Sequence, residues 1–318
     1  MFEIGNDTGD RPGEFQLWVE RLPLPDSLPF PQGYRQLRLN AEMGVLGMVT
    51  GIGTAKSAAS LMALGMDPRF DLTEAYWLIA GISGVDPEDA STGSAAWAEW
   101  VVDGDLGHEI DAREIPEQWT TGYVPLRKSE PYETPLPENS EGAVYHLNPQ
   151  LVNWAYNLTK EIQLPDNDEI TAMRQQYSSH PNAMLPPKVI KGDQLAAMTY
   201  WHGELMNHWA NQWVRYWTSG QGNFVTSAME DTGTLQSLTF LNTAGLVDLR
   251  RVLVLRTASN FTMQHPGITA AQSLAGEKLG GAGYSAYLPA LEAAWLAGNP
   301  VVKELVNNWS DFREKLPN

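Results

Sequence analysis

Met43–Thr50 (MGVLGMVT) is an apolar run of strand length, and Gly51-Ile52-Gly53-Thr54 follows it as a tight turn. Ala55–Leu64 (AKSAASLMAL) then has the small and apolar make-up of a packed helix. Ala75–Ala80 (AYWLIA) reads as a second buried strand, closed by the turn Gly81-Ile82-Ser83-Gly84. Strand, helix and strand, with both strands apolar on two faces, make a parallel α/β unit.

The pattern continues outward. The first forty residues are turn-rich and end in the polar, alternating stretch Tyr34–Asn40. Strands are expected at Ala95–Val102, Pro187–Gly192, Asn223–Ser227 and Arg251–Arg256 (RVLVLR). Helices are expected at Pro149–Ile162, near Asp168–Tyr177, at Ala196–Trp217 and at Asp231–Ala244. Two more, Tyr284–Ala297 and Val301–Trp309, are expected on either side of Pro300. Alternating strands and helices with no clean linker give one three-layer α/β/α domain over residues 1–318, its central sheet mixed and largely parallel. Residues 115–187 form an excursion from it.

The chain has 318 residues, 43% hydrophobic and 19% charged, enough for a sizeable core and too apolar for disorder. Its formal charge of -17 repels phosphate backbones, so nucleic acid is not an expected partner. With no cysteine there is no disulfide, thiolate metal site or cysteine nucleophile. The six histidines are scattered, with no H-E-x-x-H, so no metal and no cofactor is expected. No apolar stretch is long enough to span a membrane, and no basic-then-apolar leader opens the numbered chain.

Four short constellations carry polar or glycine chemistry at strand ends. Thr50-Gly51-Ile52-Gly53-Thr54 joins a strand to a helix; its glycines let backbone approach a ligand, but it is neither a dinucleotide fingerprint nor a phosphate loop. Gly81-Ile82-Ser83-Gly84 is the second. Ser227-Ala228-Met229-Glu230-Asp231-Thr232 sets a carboxylate beside a thioether, which suits a sugar: the acid accepts from vicinal hydroxyls and the thioether covers an apolar face. In Arg256-Thr257-Ala258-Ser259-Asn260 a Ser-Asn pair ends a strand of Val and Leu, and an amide both donates and accepts toward a heterocycle. Each also reads as an ordinary turn; four on separate strand-turn elements resemble the rim of a pocket. The Trp-rich helix 196–217 reads as core or subunit contact and makes a homo-oligomer an expectation.

The runs VTGIGTAKSAAS, YWLIAGISGVDP, GDLGHEIDAREIP, GNFVTSAMEDTGTLQSL and VLVLRTASNFT resemble the purine nucleoside permease family over nearly the whole chain. That family more distantly resembles the purine nucleoside phosphorylases and methylthioadenosine nucleosidases. The resemblance implies a nucleoside phosphorylase-like fold and a purine nucleoside ligand. It places ribose contacts on Met229 and Glu230 and purine contacts on Ser259 and Asn260. It also places binding turns on Thr50, Gly51 and Gly53 and on Ser83 and Gly84, and a base-pocket residue on Asp193. Glu14 is the nearest counterpart of the nucleosidases' water-activating glutamate. Asn260 stands where the superfamily's nucleosidases have Asp, and no arginine adjoins residues 81–84 in sequence. The resemblance further implies a strand, and in exported relatives a leader, ahead of Met1, and favours a periplasmic or extracytoplasmic location.

The chemistry so implied is cleavage of the N-glycosidic bond, with water or inorganic phosphate as co-substrate. Glu14, Glu230 and Asn260 are the catalytic candidates. Glu230 and Asn260 are expected in one cleft, the carboxylate toward the furanose and the amide toward the purine. A nucleoside-binding protein without catalysis is the alternative.

Overall fold

The computed structural model describes residues 3, 5–138, 140–278 and 286–317. Eight strands form the central sheet: β4 (Trp77–Val85), β5 (Ala95–Ala98), β6 (Trp100–Asp103), β9 (Val144–His146), β10 (Val189–Lys191), β11 (Asp193–Ala196), β12 (Phe224–Ala228) and β13 (Val252–Phe261). Their order is β10-β5-β13-β4-β12-β11-β6-β9. Among the described residues four pairings are parallel and three antiparallel, so the sheet is mixed. Before it lie the helix α1 (Gln16–Arg21) and a separate antiparallel sheet of β1 (Asp26–Leu28), β2 (Leu37–Asn40) and β3 (Val45–Gly47). A ribbon of β7 (Gly107–Glu109) and β8 (Tyr123–Pro125) stands apart.

Strand alternation sorts the core into layers. Ala95, Trp97, Val101 and Ala196 face one cluster. That cluster is closed by α2 (Thr54–Gly65), α3 (Pro149–Thr159), α6 (Asp231–Thr243) and α8 (Tyr287–Asn307). Val102 and Leu195 face the opposite side, under α5 (Glu204–Trp217), where Trp209, Trp213 and Trp217 pack against one another and against Phe224. Ala96 and Ala258 face Met173 of α4 (Asp168–Arg174). The tryptophans of α5 are therefore spent on the chain's own core, which removes the basis for reading them as a subunit contact.

Several elements differ from their expected bounds. The apolar run 43–50 yields only the half-buried β3, outside the central sheet. The strand expected over 95–102 is two: the chain changes neighbours at Glu99, pairing with β13 before it and with β11 after it. The helix expected from Ala196 starts at Glu204, because 193–196 join the sheet and Gly203 takes φ +120. Pro300 lies inside α8 rather than between two helices. Proline removes one intrahelical bond, and burial of Ala297, Gly298, Val301 and Leu305 on both sides of it holds the helix together. The expected start at Tyr284 lies outside the described residues. Two more helices, α7 (Ala270–Lys278) and α9 (Trp309–Phe312), flank α8 in sequence. No helix of the described residues is long and apolar enough to cross a membrane.

Candidate functional site

β12 pairs with β4 only at Thr226↔Val85 and Ser227↔Gly84, then leaves the sheet through Met229 and Glu230 into α6. Side chains meet the edge of β4 that it leaves behind. Glu14 Oε1 accepts the Ile82 N–H at 2.6 Å, and Arg256 Nη1 donates to the Ile82 carbonyl at 3.1 Å. Arg256 comes from β13, in register with Gly81. A Cβ on Gly81 would lie 2.4 Å from Arg256 Nη1 and 2.6 Å from Glu14 Oε1, so only glycine leaves room for both. This is why the expected turn 81–84 is strand: the glycines serve a close approach from above the sheet, not a reversal of the chain.

Arg256 gathers the acids. Its Nη2 donates to Glu230 Oε2 at 3.3 Å and to Asp231 Oδ2 at 2.7 Å, and its Nε to Asp231 Oδ1 at 3.1 Å. Glu230 Oε1 accepts the N–H of Gly53 at 3.1 Å, so the turn before α2 is tied to this carboxylate. Gly51 and Gly53 have φ of +82 and +93, a region L side chains avoid. Thr54 and Ser57 of α2 donate to the carbonyls of Met229 and Glu230. Glu14 is placed from its own flanks: the buried Glu3 carboxylate accepts the N–H groups of Gly13, Phe15 and Gln16.

All four charged groups are buried. Burial pushes the Glu14 carboxyl above its ordinary value, Glu230 adds to the rise and Arg256 opposes it. Burial likewise raises Asp231 against the pull of Arg256. Burial alone would weaken the Arg256 cation, but Asp231, Glu230 and Glu14 around it hold it charged.

Further along β13 the chemistry is neutral. Ser259 is the extra residue of a bulge against β4, and Asn260 pairs with Gly84. Both are buried and still within the strand, not in a turn after it. The Ser259 hydroxyl lies 3.1 Å from the Ser83 carbonyl and 2.9 Å from Asn260 Oδ1. Asn260 Nδ2 donates to the Phe261 carbonyl at 3.1 Å and to the Tyr200 hydroxyl at 2.9 Å. Residues 197–203, which join β11 to α5, touch both regions: Tyr200 reaches Asn260, and Met198 Cγ lies 3.4 Å from where a Gly53 Cβ would stand.

The structure thus brings Glu14, Glu230 and Gly53 together around Arg256, with Met229 beside them. Asn260, Ser259, Ser83 and Gly84 form a second group linked to the first by residues 197–203. Thr50 is buried at the start of the glycine turn, its carbonyl accepting from Ser60. Asp193 stands apart. It sits at the amino end of β11, whereas Glu230 lies beyond the carboxyl end of the parallel β12. Its carboxylate is filled by the N–H groups of Glu99, Trp100 and Asn223, which pins the switch from β5 to β6. Sequence reading missed Arg256, Asp231, Gln194 and Tyr200 as site residues. The signal for Arg256 was present: an arginine closing an all-apolar strand must find buried partners, and Glu230-Asp231 is the acid pair able to supply them. Among the described residues no cluster of three or more histidine or acidic side chains is arranged to hold a metal ion.

The chain shares its fold with solved structures of proteins named as a hydrolase and a nucleosidase. A futalosine hydrolase of Helicobacter pylori matches with a TM-score of 0.55 at 13% identity, covering 94% of this chain and 96% of its own. A putative 5'-methylthioadenosine/S-adenosylhomocysteine nucleosidase of Francisella philomiragia matches with a TM-score of 0.53 at 13% identity, covering 93% and 94%. In sequence, a probable purine nucleoside permease of Schizosaccharomyces pombe is 32% identical over 284 residues, 87% of this chain and 80% of that protein. A purine nucleoside permease of Candida albicans is 28% identical over 318 residues, covering 99% and 75%. The purine nucleoside permease (NUP) family model matches residues 1–317, and the chain belongs to that family.

Proposed function

We propose that the protein binds purine nucleosides and cleaves their N-glycosidic bond with water. The observation that supports this reading is the convergence of Glu14 and Glu230 on one buried arginine over Gly81. Gly81 and Gly84, the β4 partners of Arg256 and Asn260, are three positions apart, roughly 10 Å along a strand. That span is on the scale of a nucleoside, with sugar toward Glu230 and Met229 and purine toward Asn260.

In this reading Glu14 takes a proton from water, and the water oxygen bonds to C1′. The C1′–N9 electron pair leaves with the purine, which is then protonated, giving ribose and free base. Glu230 accepts from the sugar hydroxyls and favours the cationic character of the breaking bond. Asn260 hydrogen-bonds the purine as negative charge grows on it. A carboxyl raised by burial is suited to act as a base near neutral pH. Three carboxylates around a single guanidinium disfavour a phosphate dianion, which supports water as the nucleophile.

Purified protein incubated with inosine, adenosine or guanosine should release base and free ribose at a rate independent of phosphate. Ribose-1-phosphate instead of ribose would make the reaction phosphorolysis. Nucleoside bound and recovered intact would leave only binding, the reading that the family's name favours. Glu230→Ala should lower kcat by about 10²–10³, the usual worth of one transition-state contact, and should lower Tm as well, because buried Arg256 and the Gly53 N–H each lose a partner.

A further inference from the structure

The three atoms nearest a Cβ on Gly81 belong to Arg256 and Glu14 rather than to Asp231, yet Asp231 holds the largest share of Arg256. It is fully buried as the first residue of α6, takes both Nε and Nη2 of the guanidinium, and accepts again from the side-chain amide of Gln194. Gln194 is itself met by the Thr226 hydroxyl, so a chain of polar contacts runs from β12 through β11 to α6 and β13. Burial raises this carboxyl, while the guanidinium donating to both its oxygens and its place at a helix N-terminus favour the anion. Among the described residues one cation therefore serves three acids, and the acid it meets with two-pronged geometry is Asp231.

We propose that Asp231, pinned by Gln194, is the positioning residue of this site: it anchors the Arg256 guanidinium and absorbs most of its charge, so that Glu14 is left as the group that binds and releases a proton. Among the described residues the charged groups facing Glu14 are Arg256 from β13 and Glu230 from the β12–α6 junction; β4 contributes the Ile82 N–H. Of these only Arg256 favours the ionised carboxylate by charge, and Asp231 offsets it. Burial acts in the same sense as this offset, raising Glu14. With Asp231 neutralised, the full arginine charge acts on Glu14 and one nearby negative charge is gone. Both changes favour ionised Glu14, so its midpoint must fall.

The inference rests on the hydrolytic reading only for its kinetic arm. The primary measurement is a carboxyl-¹³C NMR titration of glutamate-labelled protein, with the Glu14 signal assigned through Glu14→Gln. Asp231→Asn should lower the Glu14 midpoint by about one pH unit or more, the usual effect of an uncompensated opposite charge at close range. The low-pH limb of kcat/KM should move with it. If Asp231→Asn does not fold, Gln194→Leu takes its place, loosening the hold on Arg256 and moving the midpoint the same way by less. An unmoved Glu14 midpoint, with only Tm reduced, makes Asp231 a structural ion-pair partner and overturns the proposal. A shifted midpoint in a protein that cleaves no nucleoside keeps this proposal and discards the hydrolytic reading; turnover with an unmoved midpoint does the reverse.

Discussion

Arg256 and Asn260 lie four residues apart on β13, and the two ends they define are built on different physics. The Arg256 end is ionic and closed: the guanidinium is 1% exposed and meets Glu230, Asp231 and the Ile82 carbonyl. The Asn260 end is neutral, and its amide is met by Tyr200, which is 42% exposed. At the first end each charge is tolerable only because the others are present. At the second, each group already has a backbone partner, and the contact made by Tyr200 is the replaceable one. Damage at the ionic end should reach the fold, and damage at the neutral end should stay with the ligand.

The sharpest way to break this contrast is Arg256→Met, which keeps the aliphatic volume and leaves three buried acids without their cation. Stability should drop by about 3–5 kcal/mol, the usual consequence of removing one partner from a buried ionic cluster, and nucleoside cleavage should vanish. Chemical denaturation at pH 7 reads the first effect. Because the orphaned acids can be neutralised by protons, the deficit should shrink as pH is lowered toward 4. A deficit that is small at pH 7, or that grows in acid, would mean that Arg256 is not the compensating charge of this region.

The same contrast explains what the sequence disclosed. Strand-length apolar runs located β4, β12 and β13, because burial on both faces leaves a plain compositional trace. The glycine turn 51–53 and the acid at 230 were legible for the same reason: left-handed backbone and an acid at a helix start are local signals. Three-dimensional convergence was not legible. Gly81, Ser83, Gly84 and Ser259 have the composition of turns, yet they are strand residues kept small or bulged so that Arg256, Glu14 and Asn260 fit against the sheet. No arginine adjoins residues 81–84 in sequence, but Arg256 lies over Gly81 from the next strand. Asp193 lies apart from the other candidates, its acidic side chain occupied by the backbone of the β5–β6 switch, a demand set by topology rather than by neighbours in sequence.

Asn260→Ala tests the neutral end. It removes one donor from the Phe261 carbonyl, worth about 1 kcal/mol, and leaves Ser259 with the Ser83 carbonyl. Turnover should nevertheless fall by about 10²-fold, the loss of one contact to charge developing on the leaving purine. Steady-state kinetics beside a thermal melt separates the two effects. A large fall in Tm with turnover preserved would invert the comparison and make Asn260 a structural amide.

Tyr200→Phe should give the smallest effect and sets the limit of the argument. It deletes only the hydroxyl that accepts from Asn260 Nδ2, on a ring already 42% exposed. Stability should change by no more than about 0.5 kcal/mol, as for other surface substitutions. Freed of that partner, the Asn260 amide still donates to the Phe261 carbonyl and keeps its place in β13. KM for the nucleoside should change by less than about tenfold, since one neutral hydrogen bond contributes near 1 kcal/mol, and kcat should hold. If Tyr200→Phe instead matched Asn260→Ala in kcat, the phenol would belong to the reacting groups, and the neutral end would be as tightly coupled as the ionic one.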